Sequence, residues 1–386
     1  MNFKIAKLTV AILSSSLLTV MAGAAMAPAL GVISTHFADE SSLLVQLIVS
    51  LPALTIILTN LFFPWLCRML CTRTIAVLGL RMYVVFGAGA FFADNIGLIL
   101  LLRALLGVSV GMIMPLSTGL LSYYYPPKEQ ARLMGLAACM SQMGGVIATL
   151  LSGLLANISW NTSFLVYLFG LPALVLVAVY LPNERLHTTY SQHHRFTGTS
   201  LLRFAPLVAG MFLQMLIFFI FPTNFAITAR ANVLLTGNDI TFIMVGLDLV
   251  AAVIGIMFGW MMHTMRRVVK YMAPLSFMLG YALFARGSST PLLLSGAFFV
   301  GIANGIGMPY LNTIASIEGG KEAATTVMPL LSAALYLGQF ASPLIVSPLS
   351  EWLGGNNAPY IIGVLLSVVF LVQTFFSRGG QAPVAR

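Results

Sequence analysis

GVSVGMIMP (residues 107–115) returns 194 positions later as GIANGIGMP (residues 301–309), with both glycines, the methionine and the proline in place. The same shift carries Pro28 onto Pro222. Two matches at one offset mark an internal duplication. What has been duplicated depends on the residues around them.

Those residues are apolar. Of 386 residues, 59% are hydrophobic and 8% charged, and the mean hydropathy is +0.97. A soluble domain of this length needs far more charged surface, so the chain belongs in a bilayer. A spanning helix takes roughly 20 mostly apolar residues. Twelve such segments are predicted, at residues 8–35, 42–66, 74–93, 97–122, 132–156, 163–182, 201–228, 239–262, 270–286, 291–314, 324–348 and 360–377. The fold class is therefore an all-α membrane protein with 12 transmembrane helices. The repeat maps helix 1 on helix 7 and helix 4 on helix 10. A shift of six helices is even, so the halves enter the membrane in the same orientation, as two parallel six-helix bundles. The expected domains are an N-terminal bundle over residues 1–182, a cytoplasmic linker over 183–200 and a C-terminal bundle over 201–386. The linker, NERLHTTYSQHHRFTGTS, is the longest polar run in the chain.

KIAKLTVAILSSSLLTVMAGAAMAPAL (residues 4–30) fits either a signal peptide or a retained first helix. Its apolar run extends beyond the roughly 7–15 residues of a signal peptide's core. Cleavage after Ala27 would also leave Pro28 first, a poor peptidase product. A retained helix is expected. Lysine and arginine stay on the cytoplasmic side during insertion. Placing both termini in the cytosol puts Arg68, Arg73, Lys128, Arg132, Arg266 and Arg267 there and leaves only Arg230 and Arg286 outside. The formal charge of +9 is thus a topology signal, and no nucleic-acid partner is implied.

An ionisable residue inside a spanning segment is a functional candidate by default, since burying charge in hydrocarbon is costly. Arg103 shares a helix face with Gly107 and Gly111, so it points into the bundle. Asp248 is the acid expected inside a helix, on one stripe with Ala252, Gly255 and Gly259. It is a candidate for proton coupling, or for a structural pairing, and from their similar depth it is expected to interact with Arg103, directly or through water, when the outer side is closed. Gln142, Gln214, Asn224, Asn304, Tyr310, Asn312, Tyr336 and Gln339 are the other polar groups able to orient a small substrate or to bind helices together. Pro28, Pro115, Pro222 and Pro309 are expected helix bends, and Gly107, Gly111, Gly301 and Gly305 packing positions. Arg81, two turns inside helix 3, is expected to snorkel to the cytosol. No Walker loop appears, so ATP is not the expected energy source. No metal-ligand spacing and no convergent catalytic group favour an enzyme, and Cys67, Cys71 and Cys139 imply no disulfide framework.

LLLRALLGVSVGMIMPLSTGLLSYYYPPKEQARLMGL (residues 100–136), APALGVISTHF (27–37) and FPTNFAI (221–227) resemble the major facilitator superfamily, especially its drug:proton antiporter branch. The resemblance implies alternating access by a monomer in the lipid bilayer of a bacterial inner (cytoplasmic) membrane, without cofactor. It further implies efflux of a small organic molecule such as a drug, metabolite or metallophore, driven by the proton gradient. For Arg103 it implies binding of an anionic substrate group or control of a carboxylate's protonation; the other reading is a structural arginine satisfied by carbonyls. Two departures stand out. PWLCRMLCTR (64–73) has Arg68 where the family has an aspartate that latches the cytoplasmic gate, and MSQMGGVIATLLSG (140–153) lacks the antiporter's helix 5 proline. The second leaves an importer or facilitator of a small metabolite as the alternative.

Overall fold

The computed structural model describes residues 3–184, 198–231, 235–265, 268–287, 289–319 and 327–376. Among these residues the chain is helical and contains no strand. The helices are α1 (Phe3–Ala24), α2 (Leu30–His36), α3 (Ser42–Met69), α4 (Thr72–Gly89), α5 (Ile96–Tyr124), α6 (Pro127–Ala156), α7 (Gly170–Tyr180), α8 (Gly198–Ala231), α9 (Gly237–Met265), α10 (Val269–Arg286), α11 (Thr290–Gly319), α12 (Met328–Leu353) and α13 (Ala358–Phe376). A 3-10 helix, Thr162–Phe169, precedes α7. Eleven of these helical runs are long and apolar enough to cross a membrane. The ninth expected span is α10, whose apolar middle is bounded by Lys270 and Arg286. Most of the linker expected at 183–200 lies outside the described residues, as do Arg266 and Arg267.

Local chemistry sets several boundaries. Ser41 caps α3 by accepting from the Leu44 amide, and Asn95 caps α5 by accepting from those of Gly97 and Leu98. Pro127 opens α6, where a missing amide hydrogen costs nothing. Gly354, at φ 68°, ends α12 and Gly355 follows at φ 88°, a left-handed pair that a side chain would strain.

Two expected spans are built differently. The first, expected as one helix over 8–35, breaks into α1 and α2 around a turn at residues 25–29. Pro28 cannot donate to the Ala24 carbonyl, which takes the Ala27 amide instead at 3.3 Å. The sixth, expected at 163–182, begins as the 3-10 helix. Three residues per turn set Ser163 with Val166 and Phe164 with Tyr167, and all four are buried.

The chain divides into two compact units, Met1–Ser191 and Gln192–Arg386. In the first, α1 packs on α6, α3 and α4 pack on α5, and α1 also meets α5 and α7. In the second, α8 packs on α12, α9 and α10 pack on α11, and α8 also meets α11 and α13. Each pair in one unit has its counterpart in the other. The glycines explain why: a Cβ at Gly144 would lie 1.9 Å from the Leu17 carbonyl oxygen on α1, and one at Gly338 would lie 2.4 Å from that of Phe212 on α8. Gly144 and Gly338 are again 194 positions apart. Arg81 is exposed on α4.

Candidate functional site

At Gly107 a Cβ would meet Thr55 Oγ1 at 2.0 Å and the Pro52 carbonyl oxygen at 2.4 Å; at Gly111 it would meet Thr59 Cβ at 2.6 Å. Only hydrogen fits, so α5 lies against the backbone of α3. One turn earlier on that face is Arg103, which is 0% exposed. Its Nε donates to the Ile48 carbonyl at 2.6 Å, one terminal nitrogen to the Ala22 carbonyl at 2.7 Å, and the other to the Tyr167 hydroxyl. Tyr167 Oη donates in turn to the Ala22 carbonyl at 3.1 Å.

The helices themselves leave both carbonyls open. Ile48 stands four residues before Pro52, whose ring nitrogen has no hydrogen to offer. Ala22 stands in the last turn of α1, where carbonyls lack intrahelical donors and the negative end of the helix dipole favours a cation. Of the two readings of Arg103, this geometry is that of an arginine satisfied by carbonyls. It fastens α5 to α1, α3 and the 3-10 helix. Tyr167 had no signal in the sequence, being one aromatic in an apolar run.

The C-terminal unit meets the same problem with other residues. Pro222 leaves the Phe218 carbonyl without its helical donor. Tyr281 Oη, reaching from α10, donates to the Ile217 carbonyl at 2.5 Å and lies 3.4 Å from that of Phe218. The aromatic ring and its seat change helices between units. Tyr167 of the 3-10 helix covers Gly87 of α4, whereas Tyr281 of α10 covers Gly363 of α13.

Gly301 and Gly305 of α11 press on α9 through the Leu247 and Ala251 carbonyls and the side chains of Val250 and Ile254, repeating the part of Gly107 and Gly111. This corrects the expected stripe around Asp248. The packing glycines come from α11: at Gly259 no atom lies within 4 Å, and at Gly255 the nearest is the Gly305 carbonyl oxygen at 4.0 Å. Asp248 is half-buried beside this contact.

The remaining candidates divide by burial. Gln214 is 0% exposed; its amide nitrogen donates to the Ala303 carbonyl at 3.3 Å, and it sits over Gly307, but its Oε1 is enclosed without a partner. Asn304 Oδ1, on the same α8–α11 pair, is likewise enclosed and unpartnered. Asn224 spends its amide on the Ile220 carbonyl at 3.0 Å and on Thr223. Gln339 is buried on α12, Asn312 and Tyr336 are half-buried, and Gln142 is exposed on α6. Tyr310 lines a small cavity with Lys270 and Gln373 among α8, α10, α11 and α13. A neutral counterpart, lined by Ser15, Ala76 and Ser117, lies among α1, α4, α5 and α7. Pro115 and Pro309 lie within unbroken helices.

Where the latch aspartate is missing, Thr72 donates its amide and hydroxyl to the Glu184 carbonyl at 2.9 and 2.8 Å. Arg73 donates to the Ala178 carbonyl, and Tyr124 Oη to the Glu184 carboxylate at 3.3 Å. Burial, and then the adjacent Glu184 carboxylate, push the Tyr124 phenol up to about 12. These contacts tie the start of α4 and the end of α5 to the end of α7.

The family model described as Major Facilitator Superfamily matches residues 12–343. The quinolone resistance protein NorA of Staphylococcus aureus is 23% identical over 342 residues, spanning 84% of this chain and 86% of that protein. Among solved structures, a bacterial homologue of the human lysosomal transporter Spinster, inward-facing and occupied, has a TM-score of 0.82 at 14% identity, covering 97% of each chain. The nucleoside transporter NupG has a TM-score of 0.77 at 12% identity, covering 95% of this chain and 99% of its own.

Proposed function

Because this chain belongs to the Major Facilitator Superfamily, we propose that it is a proton-coupled exporter of a small organic molecule, working by alternating access in a bacterial inner membrane with both termini in the cytosol. The observation that carries the direction is the likeness to NorA, which runs through most of both chains. Asp248 is the coupling acid in this reading. A half-buried carboxylate whose surroundings change between conformations gains and loses its proton as desolvation raises its affinity and hydration lowers it. Gln214 and Asn304 supply acceptor oxygens not spent on helix packing, suited to substrate N–H or O–H groups. Arg103 serves by holding α1, α3 and the 3-10 helix on α5, with its bonds to Ala22, Ile48 and Tyr167 intact.

The test is reconstitution into proteoliposomes under an imposed pH gradient, with a quinolone as the first probe. Addition of substrate is expected to dissipate the gradient, and Asp248→Asn to abolish that proton flux while substrate binding persists. Full proton flux in Asp248→Asn sinks the assignment of the acid. Import of a small metabolite is the second reading, favoured by the absent helix 5 proline and by the likeness in fold to NupG. Substrate accumulation down the proton gradient's inward direction would select it.

A further inference from the structure

We infer that the two units bend differently at their matched prolines. Tyr281 is a positioning residue that keeps α8 a single rod, whereas the first helix is jointed at residues 25–29, so that opening of the outer side is carried by α2. The word "outer" rests on the transport reading; the difference in jointing does not.

Pro28 and Pro222 occupy one position of the repeat. Around Pro28 the helix breaks, and around Pro222 it runs unbroken from Gly198 to Ala231. A proline alone does not account for both. The difference lies in what surrounds it. In the C-terminal unit Tyr281 bonds the Ile217 carbonyl and approaches the Phe218 carbonyl that Pro222 orphans. Phe221 stacks on Phe225 at 4.7 Å, and Phe284 packs against both at 5.4 and 5.5 Å. Tyr360 stacks on Phe284 at 5.2 Å and its hydroxyl shares a hydrogen bond with Thr228. These rings are almost wholly buried and brace α8 on both sides of Pro222.

In the first helix the repeat places Ala27 and Gly31 where α8 has Phe221 and Phe225. Neither Ala27 nor Gly31 carries a ring. Arg103 and Tyr167 hold the chain at Ala22, on the near side of the joint. Beyond it, α2 is seven residues long, packs on α3, and stacks its last residue, His36, on Trp160 at 4.4 Å. A short segment joined through a turn pivots more readily than a continuous helix braced on both sides of its proline.

Pulsed electron-spin resonance within each unit tests this on the full chain, with the three native cysteines replaced by serine. One spin-label pair goes on Thr35→Cys and Asp94→Cys, the other on Arg230→Cys and Asn356→Cys, all exposed positions. The first pair is expected to give a broad or two-peaked distance distribution and the second a single narrow peak. Tyr281→Phe keeps the ring over Gly363 and removes only the hydroxyl, and is expected to broaden the second peak. In a Pro222→Ala background the restored amide serves Phe218, so Tyr281→Phe is expected to leave the peak narrow. A narrow first distribution, a broad second one, or a Tyr281→Phe effect that persists with Pro222→Ala would overturn the proposal. No substrate is needed, so a silent quinolone assay leaves this result standing.

Discussion

Replacing Arg103 by alanine is expected to destabilise the N-terminal unit by about 3 kcal/mol net, because the buried Ile48 carbonyl loses its donor at about 1–3 kcal/mol, the Ala22 carbonyl is left with Tyr167 alone, and a large cavity opens. Relief from burying a charge offsets part of that cost. At the scale of a unit this size the loss lowers the apparent melting temperature by roughly 10 °C. Arg103→Lys is expected to recover less than half of it. An ammonium on a flexible stem cannot reach Ala22, Ile48 and Tyr167 together, as the guanidinium fork does. Thermal unfolding in detergent, followed by loss of monodisperse protein, measures both. A melting temperature within about 2 °C of wild type for the alanine variant would falsify the carbonyl-clamp account.

A methyl group at Gly144 is expected to do comparable damage. It would stand 1.9 Å from the Leu17 carbonyl oxygen and 2.8 Å from the carbonyl carbon, and neither belongs to a side chain able to rotate away. Either α1 separates from α6 or the backbone deforms, so the cost lies at the upper end of overpacking, about 3 kcal/mol. Gly338→Ala is expected to act in the same direction on α8 and α12, where the Phe212 carbonyl oxygen is 2.4 Å away. Gly259→Ala is the control. Nothing lies within 4 Å of it, so the gain in helix propensity should stabilise by up to about 1 kcal/mol. The same unfolding assay ranks the three, and equal effects of Gly144→Ala and Gly259→Ala would remove the packing argument.

Much of this architecture was legible before any coordinates. All of the twelve expected spans but the first and the sixth coincide with a single α-helix to within about five residues at each end, because a segment that must satisfy every backbone group in hydrocarbon has few alternatives to a helix. The packing role of Gly107, Gly111, Gly301 and Gly305 was readable from their four-residue spacing and its recurrence. The 194-residue shift also contains Gly144 and Gly338, which the reading of helix 5 as a departure from a family pattern passed over. The setting of Asp248 is less legible, because the small residues on α9 read as a packing face whereas the close glycine contacts come from α11.

The partners of Arg103 were beyond the sequence. Ile48, Tyr167 and Ala22 stand 55, 64 and 81 residues away, and nothing local to any of them announces the contact. The same holds for the two prolines, identical in sequence position within the repeat and opposite in outcome. Membrane class, helical character and duplication follow from composition and spacing, which act along the chain, so the sequence determined them by itself. Whether a proline breaks its helix depends on which donor another helix brings to the orphaned carbonyl. Only tertiary packing decides that, because the hydrocarbon around it offers no water to take the donor's place.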